Sequence, residues 1–172
     1  MNGFRVSAST RSERGGGVLV CSVNWLGDAV MAMPAVQAFK ARHPHTPLTV
    51  LARPTVAPLW RMNPAVDAVW PFPRGARAVF SAARRVRTAP FSIAYVLPHS
   101  IRSALPVVLG GVPRRVGLPG PLRRLLMTRI VQPPQSAEHR HQCWEYLALM
   151  APWLSLIHIS EPTRLLSISY AV

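Results

Sequence analysis

The residues with the clearest chemical potential form a short polar segment, Asn24-Trp25-Leu26-Gly27-Asp28, directly after an apolar run. The Asp28 carboxylate is of the type that takes a proton from a reacting hydroxyl group. Gly27 allows a ligand to approach the backbone closely, and the Trp25 indole can either stack on a sugar or cover the core. The spacing also fits a second interpretation, in which Asp28 only caps the first helix.

A second polar segment, His99-Ser100-Ile101-Arg102-Ser103, follows another apolar run. Two hydroxyls, one guanidinium and the free N–H groups of a helix start make a plausible anion site. The alternative is an ordinary N-cap by Ser100 with Arg102 facing solvent. The residue types alone leave both interpretations open.

Short apolar runs alternate with longer amphipathic segments, and these elements must position the two polar segments. The pattern predicts one Rossmann-like α/β domain over residues 17–154, with a parallel sheet flanked by helices. Both polar segments follow strands, so we expect them to meet at the carboxyl edge of the sheet. We expect Pro34 to kink or split the first helix and Pro106 to break or bend the third. The predicted strands are 18–22, 48–52, 66–70, 92–97 and 115–118, and the predicted helices are 28–42, 74–87, 100–109 and 138–154.

The composition excludes general disorder and implies an anionic partner. The 172 residues are 49% hydrophobic and carry a formal net charge of +14, so a core can form and anions are attracted. Residues 74–129 contain 11 arginines and no Asp, Glu or Lys. These arginines form either solvated helix faces or a surface that attracts phosphates of a membrane. Nearby apolar residues belong either to the core or to a shallow membrane contact: Leu118, Leu122, Leu125, Leu126 and Met127.

Nucleic-acid binding, suggested by the charge alone, is the alternative class of function. The arginines are not interleaved with aromatic residues, and no recognition motif is present, so we expect no nucleic acid. The spacing of His139, His141 and Cys143 fits no usual zinc site, so we expect no metal. Cys21 and Cys143 are too few for a disulfide framework, which favours a reducing cytoplasm. The most apolar window, Ile93 to Val112, is interrupted by charge and proline, which argues against a membrane span.

The sequences at the two ends of the chain differ in character from the domain between them. Residues 1–16 are polar, lack the apolar region of a secretory signal and end in glycines, so we expect a disordered leader. The string SLIHISEPTR from Ser155 resembles translated sequencing-adapter text. We therefore expect residues 155–172 to be foreign to the natural protein, or unstructured.

Four segments resemble one enzyme family, in that family's order. They are VLVCSVNWLGDAVMAMPA at 18–35, AYVLPHSIRSAL at 94–105, GVPRRVG at 111–117 and HQCWEYLAL at 141–149. The chain thereby resembles the ADP-heptose:lipopolysaccharide heptosyltransferases of glycosyltransferase family 9, and its NWLGD form is most similar to the heptosyltransferase II branch. Another activity within family 9 is the nearest alternative.

The resemblance implies the N-terminal half of a GT-B glycosyltransferase. The implied reaction transfers L-glycero-D-manno-heptose from ADP-heptose to a heptose of the lipid A-core acceptor. It inverts the anomeric centre and needs no metal or cofactor. Asp28 matches the family's proposed base, and the implied substrate-binding residues are Asn24, Trp25, Gly27, His99, Ser100, Arg102 and Ser103.

The resemblance also implies a location and a missing partner. The acceptor places the enzyme in the cytoplasm, peripheral to the inner membrane. The family's second half, which holds most of the nucleotide-sugar site, is the missing C-terminal domain. Without it we expect this chain to be inactive alone.

Overall fold

The computed structural model describes residues 16–132 and 141–154. The strands are β1 Gly17–Cys21, β2 Leu48–Ala52, β3 Ala68–Pro71, β4 Phe91–Val96, β5 Arg114–Gly117 and β6 Arg129–Ile130. The helices are α1 Leu26–Arg42, α2 Ala57–Arg61, α3 Ala76–Thr88, α4 Ile101–Leu109, α5 Arg123–Leu126 and α6 Gln142–Leu154. Strands alternate with helices along the chain, as the predicted Rossmann-like domain requires.

All six strands are parallel and lie in the order β3-β2-β1-β4-β5-β6. The strand order reverses between β1 and β4, because β2 and β3 lie on one side of β1 while β4 to β6 lie on the other. In open sheets of this kind, ligands bind outside the carboxyl ends of the strands at that point. The topology therefore places the segments after β1 and β4 at the expected binding edge.

The core is divided between the two faces of the sheet. Along β1, Val18 and Val20 pack in the cluster that contains α1, α2 and α6, whereas Leu19 and Cys21 pack against α3 and α4. This alternation follows from the period of two in a strand. Both faces are covered, which explains why the strand sequence is apolar throughout.

The split expected at Pro34 and the break expected at Pro106 do not occur. Helix α1 runs without a break through Pro34, and α4 runs through Pro106. Pro34 lies on the exposed side of α1, where the Val30 carbonyl that loses its donor can be hydrated. Packing of Ala32, Ala35 and Val36 on the inner side maintains the helix across the proline.

The sequence-based boundaries differ from the structure mostly at short elements. Helix α1 begins at Leu26, two residues before the predicted start, and β3 lies two residues later at its amino end than predicted. The short elements α2, α5 and β6 were not predicted. Residues 1–15 of the leader, residues 138–140 of the predicted last helix and the tail at 155–172 lie outside the described residues. No described helix is long and apolar enough to cross a membrane.

Candidate functional site at the sheet switch point

The segments after β1 and β4 lie side by side. Cys21 at the end of β1 pairs in register with Val96 at the end of β4, and the Leu97 N–H donates to the Cys21 carbonyl at 3.2 Å. An open cleft of about 220 Å³ lies between the two segments. The polar and aromatic residues lining this switch-point cleft are Asn24, Trp25, Asp28, His99, Ser100, Gln142 and Tyr146. The predicted meeting of the two segments is thus confirmed, while the chemical roles of their residues stay predictions.

Asp28 is not the cap of the first helix. The N-cap position belongs to Trp25, which makes no side-chain capping bond, and Asp28 is the third helical residue. Its side chain is partly buried and reaches the switch-point cleft. The capping interpretation of Asp28 is therefore wrong, because the helix starts at Leu26 and Asp28 lies inside its first turn.

Trp25 does not cover the core. It is 76% exposed and adjoins Leu26, which is 59% exposed. A large apolar ring held in solvent beside a polar cleft is available for stacking on a ligand. A Cβ atom on Gly27 would meet nothing within 4 Å, so the packing of the described residues does not itself require a glycine there.

The serines of the second segment bond to each other. The Ser100 hydroxyl donates to Ser103 Oγ at 3.1 Å, and the Ser103 hydroxyl donates to the Ser100 carbonyl at 2.7 Å. Ser100 occupies the N-cap position of α4 but makes no capping bond through its side chain. The capping alternative for Ser100 is wrong in its chemistry, and the α4 N-terminus lacks a side-chain acceptor.

Arg102 does not simply face solvent. Its Nη2 donates to the Pro73 carbonyl at 3.0 Å and to the Gly75 carbonyl at 3.1 Å. The guanidinium also lies over the Phe72 ring, 5.2 Å from its centroid. Arg102 therefore fixes the segment between β3 and α3 against α4, and it lines a small cavity beside Asn24.

A second groove adjoins the switch-point cleft and contains two arginines. It has a volume of about 440 Å³ and is lined by Asn24, Trp25, Arg53, Thr55 and Arg74 among others. Arg53 follows β2 directly, at the same edge of the sheet. Sequence reasoning treated Arg74 only as one arginine of the basic run at 74–129, and it missed Arg53. The position of Arg53 directly after a strand was the available signal.

Helix α6 supplies two cleft residues that sequence reasoning did not assign. Gln142 Nε2 donates to the Tyr146 hydroxyl at 2.8 Å, and Tyr146 is buried beside Asp28. Burial, followed by the negative charges of Asp28 and Glu145, raises the pKa of Tyr146 above its ordinary value. The tyrosine therefore keeps its proton next to the carboxylate.

A buried hydrogen bond between two side chains supports the segment after β1. Trp60 Nε1 donates to the Ser22 hydroxyl at 2.7 Å, and Ser22 in turn donates to the Val23 carbonyl at 2.9 Å. Trp60 is fully buried. This chain of bonds connects α2 to the backbone that leads into Asn24.

Among the described residues, Cys21, His141 and Cys143 do not line the switch-point cleft. Burial raises the pKa of the Cys21 thiol to about 12, against a smaller lowering by the charge of Arg123, so Cys21 stays a neutral packing residue. His141 Nδ1 lies 3.2 Å from Cys143 Sγ, and His139 lies outside the described residues. Within residues 16–132 and 141–154, no three metal-binding side chains form a cluster.

Comparison with known proteins relates this geometry to one kind of enzyme. Over 118 residues the sequence is 32% identical to lipopolysaccharide heptosyltransferase 2 of Escherichia coli, covering 66% of this chain and 34% of that protein. The Salmonella typhimurium protein of the same name is 32% identical over 111 residues, covering 62% and 32%. No family model matches the sequence.

Solved structures agree. The structure of the Escherichia coli ADP-heptose lipopolysaccharide heptosyltransferase II superimposes with a TM-score of 0.67 and 27% identity, over 78% of this chain and 40% of that one. The chain resembles the lipopolysaccharide heptosyltransferases in sequence and in fold. An Escherichia coli heptosyltransferase bound to ADP shares the fold at 17% identity, with a TM-score of 0.68 over 85% of this chain and 49% of that one.

These relatives are glycosyltransferases of the GT-B arrangement, so the predicted fold class is confirmed. A family 9 glycosyltransferase from Veillonella parvula, at 18% identity and a TM-score of 0.69 over 85% of this chain and 43% of that one, supports the fold alone. The chain spans about a third of the length of the curated heptosyltransferases that it matches.

Proposed function

We propose that this chain forms the acceptor-side part of a heptosyltransferase that uses ADP-heptose in lipopolysaccharide core synthesis. The observation that carries the proposal is the switch-point cleft, where a carboxylate, an exposed indole and a histidine converge: Asp28, Trp25 and His99. The similarity to lipopolysaccharide heptosyltransferase 2 supplies the reaction class.

In the proposed reaction, Asp28 is the general base. A hydroxyl oxygen of the acceptor heptose attacks the anomeric carbon of ADP-heptose, and the bond from that carbon to the phosphate oxygen breaks. ADP leaves with the electron pair, the hydroxyl proton passes to the Asp28 carboxylate, and the configuration inverts. Charge on the leaving ADP is stabilised by protein groups without a metal ion, so the reaction is metal-independent.

The acceptor lies against Trp25, in the groove that contains Arg53 and Arg74. An indole face packs well on the apolar face of a sugar, and guanidinium groups bind phosphates of the core or of lipid A. Tyr146 and Gln142 close the other side of the cleft. This arrangement positions an acceptor hydroxyl beside Asp28.

The protein works at the cytoplasmic face of the inner membrane in this proposal. The basic run at 74–129 attracts anionic lipid, at roughly 1 kcal/mol for each basic residue near the surface. Of the apolar residues near that run, Leu118 and Met127 are buried, while Leu122 and Leu125 are 62% and 79% exposed. Leu126 is partly buried and packs against the core, so shallow contact with lipid falls to the exposed pair.

In this proposal, a second domain, corresponding to the part of the longer relatives that the match does not cover, binds most of the ADP-sugar. The relatives are about three times longer than the matched segment, and two-substrate transfer needs both reactants held in one geometry. That domain would face the carboxyl edge of the sheet.

The direct test uses calorimetry to measure whether the purified chain binds a delipidated, heptose-bearing inner-core oligosaccharide. We expect saturable binding that Trp25→Ala weakens about tenfold, since aromatic contacts contribute about 1 kcal/mol or more. Met62→Ala is the matched control, because Met62 is 80% exposed but lines none of the described site pockets. Absence of binding, or tighter binding of duplex DNA, would refute the proposal.

A further inference from the structure

Arg123 is a fully buried arginine among exposed ones. It is 0% exposed, whereas its neighbour Arg124 is exposed. Its Nη1 donates to the Pro98 carbonyl at 2.6 Å, and its Nη2 donates to the Val96 carbonyl at 3.1 Å. One rigid guanidinium thus bridges two carbonyls of the turn between β4 and α4.

No described carboxylate pairs with this buried charge. Arg123 makes its hydrogen bonds to carbonyl oxygens alone, and its Nε has no partner within the described part of the chain. A buried charge is costly unless it is well bonded. Burial lowers the pKa of Arg123, but an arginine remains charged in a protein because its ordinary pKa is so high. The free-energy cost of burying this charge is incurred where Arg123 contacts the turn that carries His99 and Ser100.

The surrounding backbone is shaped to admit the guanidinium. A Cβ atom on Gly117 would lie 2.5 Å from Arg123 Nη2, and one on Gly120 would lie 2.9 Å from Arg123 Cδ. Either side chain would displace the arginine. Leu122, just before it, has a left-handed backbone with φ of 56°, which costs a non-glycine residue free energy. Gly117 and Gly120 therefore leave room for the Arg123 side chain, and the space at Gly117 also admits Met127, whose Sδ would lie 2.9 Å from such a Cβ.

We propose that Arg123 is a positioning residue, which holds the turn after β4 so that His99 and Ser100 line the switch-point cleft. This inference rests on the proposed function for the role of that cleft. Arg123 touches no reacting atom, and it acts through the backbone of Val96 and Pro98. The segment that leads to Arg123 makes a second contact with the turn after β4, in which His99 Nδ1 lies 3.4 Å from the Pro119 carbonyl oxygen.

The test compares Arg123→Lys with Arg124→Lys in the whole chain, by hydrogen exchange of individual amides. A lysine retains the charge but is a single point donor, so it does not bridge two carbonyls. We expect exchange of the Leu97 amide, which lies between the two bridged carbonyls and donates to the Cys21 carbonyl, to rise about 10- to 100-fold, the effect of losing one hydrogen bond from a charged group. Exchange at residues 18–20 of β1 should change much less, and Arg124→Lys should match the wild type.

Gly117→Ala gives an independent second variant, because it displaces the guanidinium without removing it. We expect the same local rise at the Leu97 amide, together with weaker binding of the inner-core oligosaccharide. A uniform rise across the sheet, no rise, or loss of folding in both Arg123→Lys and Gly117→Ala would overturn the positioning role. If the wild-type chain binds no oligosaccharide, the proposed function fails, while the exchange pattern still decides whether Arg123 holds the turn.

Discussion

Lys40 and Asp67 form a salt bridge of 2.7 Å between Nζ and Oδ2, which joins the last turn of α1 to the segment before β3. The same carboxylate oxygen accepts the Leu48 N–H at 2.6 Å. Lys40 also donates to the Thr46 carbonyl at 3.0 Å. One carboxylate therefore connects α1, the start of β2 and the approach to β3.

The first prediction concerns the pH dependence of this connection. Burial alone would raise the pKa of Asp67, but the hydrogen bonds from Lys40 and Leu48 outweigh it and lower the pKa below its ordinary value. The pair therefore stabilises the fold above the ordinary aspartate pKa, and that stabilisation is lost as the pH falls through the folded value. Thermal melts between pH 6 and pH 3 should show a steeper loss in the wild type than in Asp67→Asn. The difference should be small, because the Asp67 side chain is 46% exposed. Parallel curves would contradict this assignment.

The second prediction concerns the bond between Trp60 and Ser22. Trp60→Phe removes the donor and leaves a small cavity, so the free energy of unfolding should fall by about 2–4 kcal/mol. Ser22→Ala removes the acceptor, and the double variant measures the coupling between the two side chains. Urea unfolding of all four proteins provides the data. Additive losses would mean that the hydrogen bond contributes nothing of its own.

The third prediction tests Asp28 in a complete enzyme, made by joining residues 1–154 to the second half of the Escherichia coli heptosyltransferase 2. Asp28→Asn should lower kcat by roughly 10²–10⁴-fold, because an amide does not accept the proton. The KM for ADP-heptose should stay unchanged, since Asp28 lies on the acceptor side. Leu109→Ala, a partly exposed residue at the far end of α4, is the control. A near wild-type rate for Asp28→Asn would refute the base assignment.

The fourth prediction concerns the chain by itself, which should not transfer heptose. Correct orientation contributes about 7–11 kcal/mol in two-substrate reactions, and the described cleft offers one wall for it. A coupled assay of ADP release, with ADP-heptose and a heptose-bearing acceptor, should match the blank without protein. Turnover that Asp28→Ala abolishes would show that the first half suffices.

The fifth prediction concerns the strained backbone at Leu122. Glycine relieves roughly 1–2 kcal/mol of left-handed strain at such a position, against about 0.5–1 kcal/mol of added flexibility in the unfolded chain. Leu122→Gly should therefore be more stable than Leu122→Ala by up to about 1.5 kcal/mol. Because Leu122 is 62% exposed, the lost side chain itself costs little. Chemical denaturation of both variants measures the difference, and a less stable glycine variant would show that the strain estimate is wrong.

The placement of the first two polar segments could be predicted because parallel strands all end at one edge. Apolar runs before residues 24 and 99 were enough to place Asn24 near His99. The capping alternative for Asp28 was wrong because an uncapped helix start at Leu26 leaves no local signal. Tyr146 reaches Asp28 only because α6 packs on α1, a contact between segments more than a hundred residues apart.

Arg123 illustrates what local sequence does not reveal. Arg123 and Arg124 are adjacent and chemically identical, yet one is buried and the other exposed. The left-handed turn at Leu122 and the space over Gly117 and Gly120 decide which one enters the protein. Those features depend on the tertiary arrangement of β4, β5 and α5, so residue type and spacing could not indicate them.

The strand order also has a consequence for biosynthesis. β1 leaves the ribosome before the other five described strands, yet it lies in the middle of the finished sheet. Val18 pairs with Ile93, 75 residues later, and at roughly 5–20 residues per second this neighbour emerges about 4–15 seconds afterwards. During that interval one edge of an apolar strand lacks its partner, which is a typical starting point for aggregation. A nascent chain halted before β4 should therefore recruit holdase chaperones, and one halted after β4 should release them.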